Sequence, residues 1–346
     1  MEYFDIPMWL SFVFMLGGLA VLAWSSDVFV DGASIVAKAL GISPFVIGMV
    51  IIGFGTSAPE LCVSVMSGVS GHANLSLGNA YGSAIFNIFV ILGLSAVIFP
   101  IVVKPAVSYV AGPGLTAISL FSIWILSDGV CSRTEAWSLL GGFAVALPAY
   151  CWFDQKTSAA ETGKKAEEQD EAHGGGVGMG LVKVVAGLGL LMGSSHLLVW
   201  GAVDFAKAVG VSDLVIGLTI VAAGTSLPEL ASAIASARRG EHEFVLGNII
   251  GSNLFNTLAV VGLATAISPL EPTAAADGAA VPAFSRYVLW RDLPVMVVAS
   301  LSITLFGLNR RHLRWPGVIK RWQGWLWMAA FAAYTLVMFF LEVHGK

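Results

Sequence analysis

Residues 55–60 read GTSAPE and residues 224–229 read GTSLPE. Apolar sequence flanks the first copy on both sides, SPFVIGMVIIGF before it and LCVSVMSGV after it. A glutamate, a proline and two hydroxyls in such a setting need a physical reason, and here the pattern occurs twice. The copies stand 169 residues apart, and the same offset relates Ser83 to Ser252 and Asn87 to Asn256. Residues 53–94 and 222–263 align at that offset without a gap, with 17 identities in 42 positions. Weaker matches continue upstream, Ala37-Lys38-Ala39 with Ala206-Lys207-Ala208 and Val46-Ile47-Gly48 with Val215-Ile216-Gly217. The identical positions are mostly polar or glycine, which duplication for packing alone does not explain.

The 346-residue chain is 57% hydrophobic and 12% charged, with a mean hydropathy of +0.82. Soluble domains average about 25% charged residues; half that level, spread over long apolar runs, indicates a polytopic membrane protein. A spanning helix needs about 20 apolar residues. That rule predicts about ten helices, at roughly 7–37, 43–70, 73–100, 106–127 and 133–153, then 179–207, 212–239, 243–267, 287–308 and 316–341. The expected fold is an all-α integral membrane protein made of two five-helix repeats, 1–153 and 179–346, with helices 2 and 7 broken at the motif. Residues 154–178 join the repeats; their segment DQKTSAAETGKKAEEQDEAHGGG is polar, charged and poor in aromatics, as a flexible linker is. A second polar stretch, EPTAAADGAAVPAF at 271–284, reads as a loop. An odd number of helices per unit makes the second unit enter the membrane from the opposite side. Such inverted repeats place a binding site near the midplane, at their interface and on broken helices.

Lysine and arginine bias sets orientation. With the N-terminus outside, cytoplasmic ends and loops collect Lys38, Lys104, Lys156, Lys164, Lys165, Lys183, Arg238, Arg239, Arg310, Arg311, Arg314, Lys320 and Arg321, against Arg133, Lys207, Arg286, Arg291 and Lys346 on the other side. The expectation is a multi-pass protein of the cell membrane with both termini outside and the linker in the cytoplasm. The acidic start MEYFDIPMWL lacks the positive n-region of a signal peptide, so the first apolar run is expected to be retained. The net charge of -4 and the lack of a basic block argue against nucleic-acid binding, and no obligate protein partner is evident beside the lipid bilayer. Cys62, Cys131 and Cys151 lie in apolar segments at no metal-ligand spacing and read as packing residues.

Locally, Ser57-Ala58-Pro59-Glu60 has the form of a capping box at a helix start, and proline suits a first helical turn. The apolar flanks place that helix end at membrane depth, where broken backbone survives only when buried in protein or lining a wet cavity. A charge there costs about 2.5–3.5 kcal/mol on insertion scales, and two glutamates double that cost. A bound cation would compensate; a protonated pair is the alternative. Pro59 and Pro228 have no N–H for the carbonyls of Gly55 and Gly224, which frees oxygens near Thr56 and Thr225. Carboxylates and carbonyls form the oxygen donor set of a hard cation such as Ca²⁺, and no His/Cys cluster points to a softer metal. The next helix of each repeat carries GNAYGSAIFN (78–87) or GNIIGSNLFN (247–256). Ser83 with Asn87, and Ser252 with Asn256, are four apart and share a helix face; as neutral ligands they suit Na⁺, and interhelical hydrogen bonding is the alternative. The glycines of these segments, at G-x-x-x-G spacing, read as packing contacts.

These paired motifs resemble the α-repeats of the cation/calcium antiporter superfamily, closest to its prokaryotic sodium/calcium exchanger branch. The resemblance covers both halves in order. It implies ten helices in inverted five-helix repeats, with an ion site built by helices 2, 3, 7 and 8. By that resemblance Glu60 and Glu229 are central ligands of Ca²⁺ and Na⁺, Thr56 and Thr225 add backbone carbonyls, and Ser57, Ser83, Ser226 and Ser252 help form sodium sites. Asn87 and Asn256 lie near the centre, and backbone oxygens of Gly53 and Ala222 contribute, Gly53 departing from the alanine common there. Some relatives, including potassium-dependent exchangers, have an aspartate where this chain has Asn256, so K⁺ is not expected to be co-transported. Proton/calcium exchangers carry a glutamate soon after the Gly-Asn of helix 3; Asn79-Ala80-Tyr81-Gly82 and Asn248-Ile249-Ile250-Gly251 have none. The expected activity is secondary active, electrogenic Na⁺/Ca²⁺ antiport by alternating access, with H⁺/Ca²⁺ or other divalent exchange as the alternative. The ions are cargo, no cofactor is implied, and the protein is not expected to be an enzyme. An intramembrane protease would need a motif such as H-E-x-x-H or G-x-G-D, absent here, and a channel would be built from symmetric rings rather than an inverted repeat.

Overall fold

A computed structural model describes residues 8–69, 73–162, 176–208, 222–270, 273–274, 280–281, 284, 286–309 and 315–344. The chain starts with α1 (Met8–Leu40), followed by α2 (Pro44–Thr56) and α3 (Ala58–Val69), which meet at a 45° bend. Next come α4 (residues 73–98), β1 (Ile101–Val103), α5 (Val107–Ile125) and α6 (Arg133–Thr162). The second half holds α7 (Val177–Ala208), a helical turn Ala222–Gly224, α8 (Leu227–Arg238) and α9 (His242–Ile267). Two short antiparallel strands, β2 (Thr273–Ala274) and β3 (Ala280–Val281), precede α10 (Val288–Gly307), β4 (Gly317–Ile319) and α11 (Arg321–His344). Among the described residues eight helices are long and apolar enough to cross a membrane, or nine with α2 and α3 taken as one broken span. Of the helix predicted at 212–239, the part before Ala222 lies outside the described residues.

Two differences from the sequence-based expectation have local causes. Helix α6 runs to Thr162, past the predicted end at 153, because residues such as Ala159, Ala160 and Glu161 favour helix. Most of the predicted linker, 163–175, lies outside the described residues. Helix α11 begins at Arg321 rather than 316, because Gly317–Ile319 pair antiparallel with Ile101–Val103 and take residues 317–319 out of the helix. Cys131 pairs its backbone with Leu270 at 2.9 and 3.0 Å, and burial pushes its thiol up to about 11, so it is an unreactive packing residue.

Helices α1 and α7 occupy equivalent places in the two repeats and pack along each other's length. Ser11 donates to Asp204 at 2.6 Å near one end, and Lys183 pairs with Asp31 at 2.5 Å near the other. The two helices are therefore antiparallel, as inverted repeats require. A Cβ on Gly187 would stand 2.7 Å from the Phe29 backbone, so glycine is what permits this approach. At the centre of the molecule residues 244–262 of α9 are buried without a break, whereas α6 and α11 are mostly exposed. Trp322, Trp325, Leu336 and Phe340 of α11 face outward, the apolar surface that lipid covers.

Candidate ion-binding site

The first break falls at Ser57, with φ −81° and ψ 5°, and the second at Ser226, with φ −91° and ψ 9°. Both dihedral pairs lie in the sparsely populated bridge region. Just after each break stands a glutamate, and Glu60 and Glu229 are fully buried. The hydroxyls do not cap their own helices. Ser57 donates to Oε1 of Glu229 at 3.0 Å, and Ser226 donates to Oε1 of Glu60 at 3.0 Å. The capping-box reading of Ser-x-x-Glu is thus overturned: each serine serves the carboxylate of the opposite repeat. Thr225 adds a further side-chain hydrogen bond to Glu60. Among the described residues Oε2 of each glutamate has no partner.

Asparagines of α4 and α9 hold the helix starts. Asn79 Nδ2 donates to the Glu60 carbonyl at 3.0 Å and to Ser64 Oγ at 2.9 Å. Asn248 Nδ2 repeats this with the Glu229 carbonyl at 3.3 Å and Ser232 Oγ at 3.0 Å. Sequence reasoning passed over these two residues, although their identity at the repeat offset was the signal that marked them. Asn248 Oδ1 in turn accepts from Thr56 and from Ser252, each at 3.4 Å, so α2 and α9 are stitched together beside Glu229.

The other expected site residues are placed as follows. Thr56 is fully buried and its hydroxyl donates to the Ile52 carbonyl at 2.9 Å, within its own helix. The Gly53 carbonyl accepts from Ser252 Oγ at 3.2 Å, and a Cβ at Gly53 would come within 2.9 Å of the Ser252 nitrogen. That contact explains glycine at this position. Ala222 opens the helical turn before the second break. Ser83 is buried on α4. Asn87 and Asn256 are buried at, or one residue inside, the starts of two π-helical segments, Asn87–Leu92 and Phe255–Val260, a local form that recurs at functional positions. Asn87 Oδ1 and both polar atoms of Asn256 lack partners among the described residues. The carbonyl freed opposite Pro228 is not open: Gly224 O accepts from Ser195 of α7 at 2.9 Å. The expectation of a free carbonyl there is corrected by that cross-helix bond.

Buried oxygens without partners are costly, and Oε2 of Glu60 and of Glu229 and Oδ1 of Asn87 and of Asn256 are such oxygens among the described residues. A hard cation satisfies such a set; carboxylate, amide and hydroxyl oxygens are what Ca²⁺ and Na⁺ take. Among the described residues no group of three His, Cys, Asp or Glu side chains stands together. Away from the site, Asp27 and Asp31 of α1 are ion-paired. Arg238 pairs with Asp27, Arg239 with Asp31 at 3.4 Å, and Lys183 with Asp31, so the pairs tie α1 to α7 and α8.

The sodium/calcium exchanger protein family matches residues 10–151 and 179–340, one segment for each half and each containing one break with its glutamate. The chain belongs to this exchanger family. CaxA of Alkalimonas amylolytica is 39% identical over 94% of this chain and 98% of its own length. The sodium/calcium exchanger MaX1 of Methanosarcina acetivorans is 28% identical over 96% of this chain and 99% of its own. A solved structure of the sodium-calcium exchanger NCX_Mj, soaked with Na⁺ and Sr²⁺, superimposes with a TM-score of 0.75 at 31% identity, covering 94% of this chain and 98% of that one. The chain is accordingly a multi-pass membrane transporter of the exchanger family, and its fold is that of an all-helical exchanger.

Proposed function

We propose that this protein is a secondary active antiporter that exchanges Na⁺ for Ca²⁺ across the cell membrane. The observation that carries the reading is the reciprocal pair of bonds, Ser57 to Glu229 and Ser226 to Glu60, around two fully buried carboxylates. Glu60 and Glu229 are the central ligands. Ser57, Ser226, Ser83 and Ser252, with the amide oxygens of Asn87 and Asn256, complete the donor set. Backbone oxygens at Gly53, Thr56, Ala222 and Thr225 are the remaining candidates, on the strength of the family resemblance.

Two carboxylates supply a charge of about −2, which one Ca²⁺ cancels. Several Na⁺ sharing the same oxygens do the same, and both loads together would leave excess positive charge in a low dielectric. The ions therefore compete. An uncompensated −2 site is too costly to carry past an apolar barrier, so turnover requires a load in each direction. Helices α1 and α7, paired with each other more closely than with the rest, move as a unit against the core, and the site opens alternately to the two sides. The ion pairs from Asp27 and Asp31 to Arg238 and Arg239 bridge that sliding boundary. Unequal charge on the two limbs makes exchange electrogenic, and the neutral amide of Asn256 removes the extra charge that K⁺ would need. The repeats 1–153 and 179–346 are inverted about the site, with the linker 154–178 cytoplasmic and both termini outside, on the lysine and arginine bias.

Radiocalcium uptake into proteoliposomes tests this, with Na⁺, H⁺ and K⁺ gradients imposed one at a time. Uptake should follow an outward Na⁺ gradient, respond to an imposed membrane potential and ignore K⁺. Uptake driven by H⁺ and indifferent to Na⁺ would transfer the protein to the proton-coupled class.

A further inference from the structure

The repeats differ at a polar position beside Asn87. Asn253 of α9 stands at the offset of Ala84 in α4, and it is 1% exposed. Its Nδ2 donates to the Ala84 carbonyl at 3.1 Å, and its Oδ1 accepts from Asn87 Nδ2 at 3.1 Å. A backbone carbonyl has no proton to give, so Asn253 must turn its NH₂ toward Ala84. Its oxygen is then the end left for Asn87, and Asn87 must meet it with NH₂. The orientation of both amides follows from this chain of donors and acceptors. Asn87 Oδ1 remains, buried and without a partner among the described residues. Asn256, the repeat mate of Asn87, has no such anchor: both of its polar atoms are unpartnered among the described residues.

We propose that Asn253 is a positioning residue for ion binding, locking the Asn87 amide so that its oxygen faces the cation while leaving Asn256 free to turn. This rests on the antiporter reading of the site. The two amides then have different roles. Asn87 is a fixed acceptor, already arranged for a cation, and loses no rotational freedom when one binds. Asn256 presents oxygen to a cation or NH₂ to an uncompensated carboxylate, and so follows the load.

The test compares Na⁺-driven radiocalcium flux in wild type, Asn253→Ala and Asn253→Asp, with thermal unfolding of each variant measured at several Ca²⁺ concentrations. Asn253→Ala restores the residue of the first repeat and frees Asn87. It should raise the KM for Ca²⁺ by about tenfold, the loss of one well-made hydrogen bond at a ligand, with kcat changed less than about twofold. The shift in unfolding temperature that Ca²⁺ produces should shrink in parallel. Asn253→Asp, which in a buried neutral form still accepts from Asn87 and donates to Ala84, should recover most of the affinity. Loss of Ca²⁺-free stability with KM unchanged would assign Asn253 a purely structural role and overturn the proposal. Equal effects of Ala and Asp on KM would overturn it too. Should Asn253→Ala not fold, a KM for Asn253→Asp near wild type supports the proposal, and one raised as far as expected for Asn253→Ala refutes it. If wild type itself shows no Na⁺-driven uptake, it is the antiporter reading that fails.

Discussion

In the proposed antiport the chemistry turns on Glu60 and Glu229, and each is held by a hydroxyl from across the pseudo-symmetric interface. Glu60→Gln and Glu229→Gln keep the shape and remove the charge that balances Ca²⁺; Na⁺-driven Ca²⁺ flux in proteoliposomes should fall to background in both. Ser57→Ala and Ser226→Ala each delete one bond to a carboxylate, worth about 1.5–3 kcal/mol. Half-saturation by Na⁺ should rise by about tenfold or more in each, measured as Na⁺-dependent Ca²⁺ release. The two serine variants should resemble each other, because the bonds are reciprocal; a large effect in one and none in the other would mean that the carboxylates are not equivalent.

The broken helices owe their position to close backbone contact. Helix α9 packs on α2 through Gly247 and Gly251, and a Cβ on Gly251 would stand 2.7 Å from the Met49 Cα. Backbone cannot yield as a flexible side chain can, so Gly251→Ala should destabilise by about 1–3 kcal/mol and lower the unfolding temperature in detergent. Gly141, exposed on α6 with open space at its Cβ among the described residues, is the control. There alanine should be neutral or stabilising by about 0.5–1 kcal/mol, since it removes only the entropy cost of a helical glycine. The sequence reading anticipated close approach from the G-x-x-x-G spacing. It could not say which helix fills the gap, because that spacing is common to any tight helix pair.

Across the molecule, the antiparallel pair α1 and α7 meets the core at an ion-paired rim, where Asp27 and Asp31 face Arg238 and Arg239. If transport moves that pair against the core, these contacts must break and reform. Asp27→Cys with Arg238→Cys, in a background lacking the three native cysteines, provides the check. A short bifunctional thiol reagent should stop Na⁺-driven Ca²⁺ flux in the double variant but not in either single one, while Ca²⁺ still shifts the unfolding temperature. Flux that persists after complete cross-linking would place the moving boundary elsewhere.

Composition, hydropathy and an offset of 169 were enough to reveal a membrane protein, most of its helices, the doubled motif and the two glutamates, because each of these is written in local pattern or in internal comparison. The bonds Ser57–Glu229 and Ser226–Glu60 join residues 172 and 166 positions apart, and no local pattern encodes such a meeting. Locally the same serines read as helix caps, a role that the folded chain denies them. Asn253 matches no partner in the other repeat, so comparing the halves could not expose it. The antiparallel strands β1 and β4, the Ser195 bond to Gly224 and the ion pairs of Asp27 and Asp31 likewise exist only once distant segments pack. Burial at the interface of the halves removes water as an alternative partner, and that constraint, set by tertiary structure alone, determines which donor each buried oxygen receives.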